Sequence, residues 1–218
     1  GNDITTGSYN TIMGWKAGDK ISTGGSNTAI GDGAIGSDTL GQKSVAIGSN
    51  TLNAQNFTTA TATYNTAMGW NAGAAVTTGI RNTIVGGLAG DALTDADYNV
   101  AMGYASLSTD TLGSRSTAIG FGSLETQNFT TATDSYNTAV GSSAGLSVTT
   151  GIKNTLIGGL AGDSITSADF NTAVGYATLI DNQTGERNVA IGSFALANAT
   201  VSDNVAVGAS AGVDITTG

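Results

Sequence analysis

The chain has 218 residues, a net charge of −9, 39% apolar residues and only 11% charged ones. Gly occurs 33 times while Pro, His and Cys are absent, which excludes collagen, Ser-His-Asp and Cys-His catalysis, thiolate or imidazole zinc sites, and disulfides. Seven basic residues against sixteen acidic ones make a poor nucleic-acid ligand, and the apolar runs are too short to span a membrane.

One five-residue motif then recurs along the chain: Asn or Ser, Thr or Val, a small or aliphatic residue, then Ile, Val or Met, then Gly. Twelve such glycines run from Gly14, Gly31, Gly48 and Gly69 to Gly208, mostly 17 residues apart and 21 apart after Gly48 and Gly120. A period of 72 residues overlies this, giving superrepeats at about 1–72, 73–144 and 145–218. Seventeen residues are too few for a helical-hairpin repeat but hold a short strand, a turn, a second strand and another turn. Thr, Val, Ile and Gly dominate, and good helix formers other than Ala are scarce. The expected fold class is therefore all-β: a parallel β-solenoid (β-roll or β-helix) of about 12 coils, with 1–218 as one repeat domain. The stretch Asp3 to Gly7 reads the same as Asp214 to Gly218, as in a segment cut in phase from a longer array.

In-register stacking turns equivalent positions into columns. Four residues before the glycine stand Asn10, Asn27, Asn65, Asn82, Asn99, Asn137, Asn154, Asn171, Asn188 and Asn204, with Ser44 and Ser116 in the other two coils. Stacked amides can donate to one neighbour and accept from the other, forming a ladder; Asn is also a favoured turn residue, and both readings apply. One residue earlier, Tyr64, Arg81, Tyr98, Arg115, Tyr136, Lys153, Phe170 and Arg187 alternate aromatic and cationic side chains, within cation–π reach if the coils lie about 4.8 Å apart.

Two before the glycine the column is apolar throughout, and Ile12, Ala67, Ile84, Ala139, Leu156 and Ala206 sample it. The next residue is always Ile, Val or Met, so both faces of this strand are apolar. One face can fill the coil. The Ala-rich column is expected to form an inter-chain seam in a homo-oligomer, or else both faces are covered within one wide coil. Four after the glycine, Gly alternates with Leu or Ile in pairs of coils. Gly coils carry an aliphatic three residues further on (Ile21, Val76, Leu93, Val148, Ile165, Ile215); most others carry an apolar residue nine after the glycine (Leu40, Phe57, Leu112, Phe129, Val201). Thr-Thr-Gly at 5–7, 77–79, 149–151 and 216–218 reads as turns whose Gly takes positive φ. No catalytic, cofactor or metal site is expected: Asp19, Asp91 and Asp163 follow Ala-Gly as ordinary turn residues, and the glycine-rich Gly86 to Gly90 lacks a phosphate loop's Lys and Ser/Thr.

The segments Ser44 to Gly48, Ser116 to Gly120 and Asn188 to Gly192 (SVAIG, STAIG, NVAIG) resemble the head repeats of trimeric autotransporter adhesins. The fuller pattern, NTAIG followed by AG and TTG, is similar to repeats of phage tail fibres. The resemblance implies a left-handed parallel β-roll of three chains. The expected function is that of a structural extracellular fibre, stalk or shaft on a cell surface or virion. Its partner is a further copy of itself, as a trimer or an end-to-end filament. An adhesive head binding a host surface or glycan is the alternative, and an ice-binding solenoid ranks below both, because the Thr-x-Thr segments 59–61 and 131–133 occur only once per superrepeat.

Overall fold

The computed structural model describes residues 1–215, which form a parallel β-solenoid. Each coil contributes one three-residue strand, from Thr11–Met13 to Val205–Val207, and the twelve strands lie in chain order in one parallel sheet. The repeat sets the register. Thr28 pairs with Val45, Ala29 with Ala46 and Ile30 with Ile47, and the columns match in the same way between the other neighbours. The two 21-residue coils add a second short ladder, Gly41–Gln42 beside Thr61–Ala62 and Gly113–Ser114 beside Thr133–Asp134. The stacking bonds continue through the turns: the Thr77 N–H donates to the Thr94 carbonyl, and the Leu88 N–H to the Trp70 carbonyl. The final Thr-Thr-Gly, 216–218, and most of the matching C-terminal pentapeptide lie outside the described residues.

The repeat glycine is required twice over. At Gly103, φ is +138°, which L side chains rarely adopt, and a Cβ there would lie 2.3 Å from the carbonyl oxygen of Gly120 in the next coil. The Thr-Thr-Gly glycines have a different reason from the expected one. Gly79 does not have positive φ; it lacks a side chain because a Cβ would meet the Ala96 carbonyl oxygen at 2.4 Å. The positive-φ corners lie elsewhere, two and four residues after the repeat glycine and five before it. They include 28 non-glycine residues, among them every described member of the aromatic–cation column. Each such residue costs about 1 kcal/mol or more, and most of them donate their backbone N–H to a carbonyl of one neighbouring coil.

The core corrects the seam. Ala67, Ile84, Ala139, Leu156 and Ala206 are buried within the single chain, and Ile12 packs against the same core. These side chains point into the coil, so they cannot meet another chain. The strand's outward apolar residue is the one just before the glycine: Met13, Met68, Met102, Ile157, Ile191 and Val207 are exposed.

The 72-residue period is a packing solution. In two successive coils the corner residue four after the glycine is a buried Leu or Ile, such as Leu107 and Leu124; in the next two it is Gly, such as Gly145 and Gly162. The space left by the glycines is taken by Val148 and Ile165 and by Leu156, the one large residue in an otherwise Ala column there. A Cβ on Gly145 would lie 2.7 Å from Leu156 and 2.9 Å from Leu124. Ile84 serves Gly73 and Gly90 in the same way. The aliphatics Ile21, Val76, Leu93, Val148 and Ile165 are all core, as expected, and Ile215 packs against it. Phe57 and Phe129 are buried outside that core, while Leu40, Leu112 and Val201 are half-buried; the Leu coils are filled by the corner Leu or Ile itself.

Candidate functional site

The Asn column is a buried ladder, but its rungs join side chain to backbone. Asn82 is typical. Its Oδ1 accepts from the Asn99 backbone N–H at 2.9 Å, and its Nδ2 donates to the Ala96 carbonyl at 2.7 Å. Each amide thus satisfies a strand-entry N–H and a turn carbonyl of the next coil, two groups the ladder of strand hydrogen bonds leaves over. The same pattern links Asn10 to Asn27 and Ser44; Asn65 to Asn82, Asn99 and Ser116; and Asn137 to Asn154, Asn171, Asn188 and Asn204.

The two serines interrupt the ladder where a 21-residue coil begins, and a buried polar cluster bridges the gap. At the first, Gln55 Nε2 donates to Ser44 Oγ at 2.9 Å and to Asp38 Oδ2 at 2.6 Å, while its Oε1 accepts from Asn65 Nδ2 at 3.0 Å. Asp38 Oδ1 accepts from the Gly41 and Phe57 N–H groups. Asp110, Gln127, Ser116 and Asn137 repeat the arrangement 72 residues on. Burial pushes the Asp110 carboxyl above the usual range, against the pull of its hydrogen bonds from Gln127, Phe129 and Gly113. Sequence reasoning missed the role of Asp38, Gln55, Asp110 and Gln127. The signal was an Asp seven after one repeat glycine and a Gln seven after the next, present only beside the inserts. In the third superrepeat the insert is missing, the pair becomes Asn182 and Ala199, and the Ser becomes Asn188.

The exposed aromatic–cation column pairs along part of its length. Tyr98 lies between Arg81 at 5.2 Å and Arg115 at 4.7 Å, and Arg115 also reaches Tyr136 at 5.8 Å. Lys43 sits 5.0 Å from the Tyr64 ring and Lys153 4.9 Å from that of Phe170. Lys43 donates to the Tyr64 hydroxyl and holds its pKa below the usual value. Arg187 turns instead to the carboxylates of Asp203 and Glu186. At exposed positions each cation–ring contact is worth about 0.5–1 kcal/mol, so the column is a modest clamp between coils.

The outer face of the sheet carries one apolar column from end to end. The residue before the glycine is Ile, Val or Met in every coil, and the outward residue two before it is Thr or Val. Among the described residues no three His, Cys, Asp or Glu side chains are grouped to hold a metal ion, and no helix is long and apolar enough to cross a membrane. Asp91 and Asp163 each keep one buried carboxylate oxygen without a partner among the described residues, and desolvation raises both pKa values. In comparison with known proteins, no family model, no curated protein and no solved structure matches the chain.

Proposed function

We propose that the chain is a stiff structural element of an extracellular fibre or shaft, and that copies of it associate laterally through the outer sheet face. The observation that carries the reading is the uninterrupted Ile, Val or Met column from Met13 to Val207, with Thr or Val as the other outward residue of each strand. Twelve strands at about 4.8 Å spacing make a face about 53 Å long and about 10 Å wide. Two such faces bury roughly 1,000 Å², the lower bound for a specific interface. A second copy is the simplest cover for a stripe of this length, since its own stripe has the same spacing. The mechanical role follows from the stack: backbone ladders, the amide ladder and the cation–ring clamps all resist separation of coils along the rod axis.

The reading is tested by sedimentation over a range of concentrations, comparing the parent chain with a Met68→Glu, Met102→Glu variant. Both side chains are exposed, so the variant keeps its fold by circular dichroism. Association of the parent that is lost in the variant is expected. A monodisperse parent, or a variant that associates equally well, overturns it. Ala139→Asp is unsuited to this purpose, because Ala139 is core and its replacement destabilises the coil itself.

A further inference from the structure

The first superrepeat differs from the second at about half of its positions, and one group of these differences falls together on a single surface. On coils one to three a cleft of about 590 Å³ is lined by Trp15, Lys16, Lys20, Asp32, Asn50 and Asn53, among others. Seventy-two and 144 residues on, Trp15 is replaced by Gly87 and Gly159, Lys16 by Leu88 and Leu160, and Asp32 by Tyr104 and Tyr176. There the surface closes on itself: Tyr104 stacks on Phe121 with ring centroids 5.8 Å apart, and Tyr176 meets Phe194 edge-on at 5.6 Å. In the first superrepeat the corresponding surface is open and polar.

The cleft's floor is shaped for its amides. A Cβ on Gly33 would lie 2.8 Å from Asn50 Oδ1 and 3.0 Å from Asn53 Nδ2, and later superrepeats carry Ala105 and Ala177 at that position. Asn53 is fixed by donating to the Gly33 carbonyl at 2.7 Å. Trp15 is 73% exposed, and Lys16 Nζ lies 5.8 Å from its ring centroid. The ammonium groups of Lys16 and Lys20 and the carboxylates of Asp19 and Asp32 balance in formal charge around a flat exposed indole, and with the amides they give donors and acceptors without a dominant charge. An ion finds no net field there; a ligand with an apolar ring face and a rim of hydroxyls finds both a platform and partners.

We propose that this cleft binds a neutral pyranose saccharide, with Trp15 stacked on a ring face and Asp32, Asn50 and Lys20 taking its hydroxyls. The volume lies within the range of small-ligand clefts, roughly 300–1,000 Å³, and the cleft spans three coils, about 10 Å, the length of two sugar rings. The site goes beyond the structural reading, which uses the stack of coils and the outer sheet face and not this cleft.

The test uses a Trp70→Phe background, in which Trp15 is the one tryptophan, and follows its fluorescence against maltose, cellobiose, lactose and N,N′-diacetylchitobiose. Saturation by at least one disaccharide with a millimolar Kd is expected. Asp32→Ala should weaken it roughly tenfold. The double change Asp32→Tyr with Asn50→Gly, which installs the residues of the second superrepeat, should abolish it while the circular dichroism stays unchanged. The distant change Asp95→Ala should leave it alone. No saturation by any of the four sugars up to about 50 mM, or saturation indifferent to both Asp32 variants, overturns the proposal.

Discussion

Replacing Asn82 by Ala removes one rung of the buried ladder and nothing else of size. Asn82, Asn99 and Ala96 are all fully buried. The change strips the Asn99 N–H of its acceptor and the Ala96 carbonyl of its donor, and water cannot reach either group. Each buried group left unpaired costs about 1–3 kcal/mol, so the loss is about 2–6 kcal/mol, a large share of the stability of any domain. Asn82→Ser should cost nearly as much, although Ser occupies the same column at 44 and 116. Those serines are completed by Gln55 and Thr63 or by Gln127 and Ser135, and the 17-residue coil around Asn82 has no such partners. Urea denaturation followed by circular dichroism reads the global loss. Amide hydrogen exchange reads the local one, since coils of a stacked repeat can open separately. A variant within about 0.5 kcal/mol of the parent, with the Asn99 amide still protected, would refute the ladder as a source of stability.

Acidification should stabilise the fold. Desolvation raises the carboxyl pKa values of Asp91, Asp97, Asp110 and Asp163, so the folded chain binds these protons more readily than the unfolded one. Their contribution is complete below the unfolded pKa of about 4 and is lost as pH rises through the folded values. Asp203, held low by Arg187, acts in the opposite sense but is exposed and screened. Melting temperatures measured from pH 7 down to pH 4 should rise; a steady fall would contradict the burial of these carboxyls. Gln127→Ala alone should cost about 2–4 kcal/mol, because it leaves Asp110, Ser116 and Asn137 short of partners. Adding Asp110→Asn, which restores the pair found at 182 and 199, should recover at least about 1 kcal/mol in a double-mutant cycle. Strict additivity would mean that the two residues are not one unit.

The solenoid was legible because its signal repeats. Any one NTAIG segment is weak, but twelve at fixed spacing leave few folds that place Gly69, Gly86 and Gly103 in equivalent settings. The inward and outward columns were not legible. Ala at position 67 and Met at position 68 are both apolar, and strand alternation says only that they oppose each other. Size decides it: a narrow coil has room for Ala against the corner leucines, so Met faces out. The amide ladder was readable as a column, yet its bonding pattern was not, since an Asn side chain can serve backbone or side chain equally well. The Asp110–Gln127 cluster lay hidden because its members sit 17 residues apart and look like ordinary polar turn residues. The cleft at Trp15 was present in the sequence as a departure from the repeat, but only the stacked coils bring residues 15, 32 and 50 to one surface.

The coil-on-coil stack is tested most directly by distances along the rod. The chain has no Cys, so paired spin labels can be placed at will on the exposed residues Thr23, Asp95 and Ser167, which share one column in coils one, five and nine. Double electron–electron resonance should give about 19 Å for Thr23 with Asp95, about 19 Å for Asp95 with Ser167, and about 38 Å for the outer pair, four and eight coils at 4.8 Å each. Three distances in that one-to-one-to-two relation place equal numbers of coils between equivalent residues on a straight axis. An outer distance far short of the sum of the other two would contradict it.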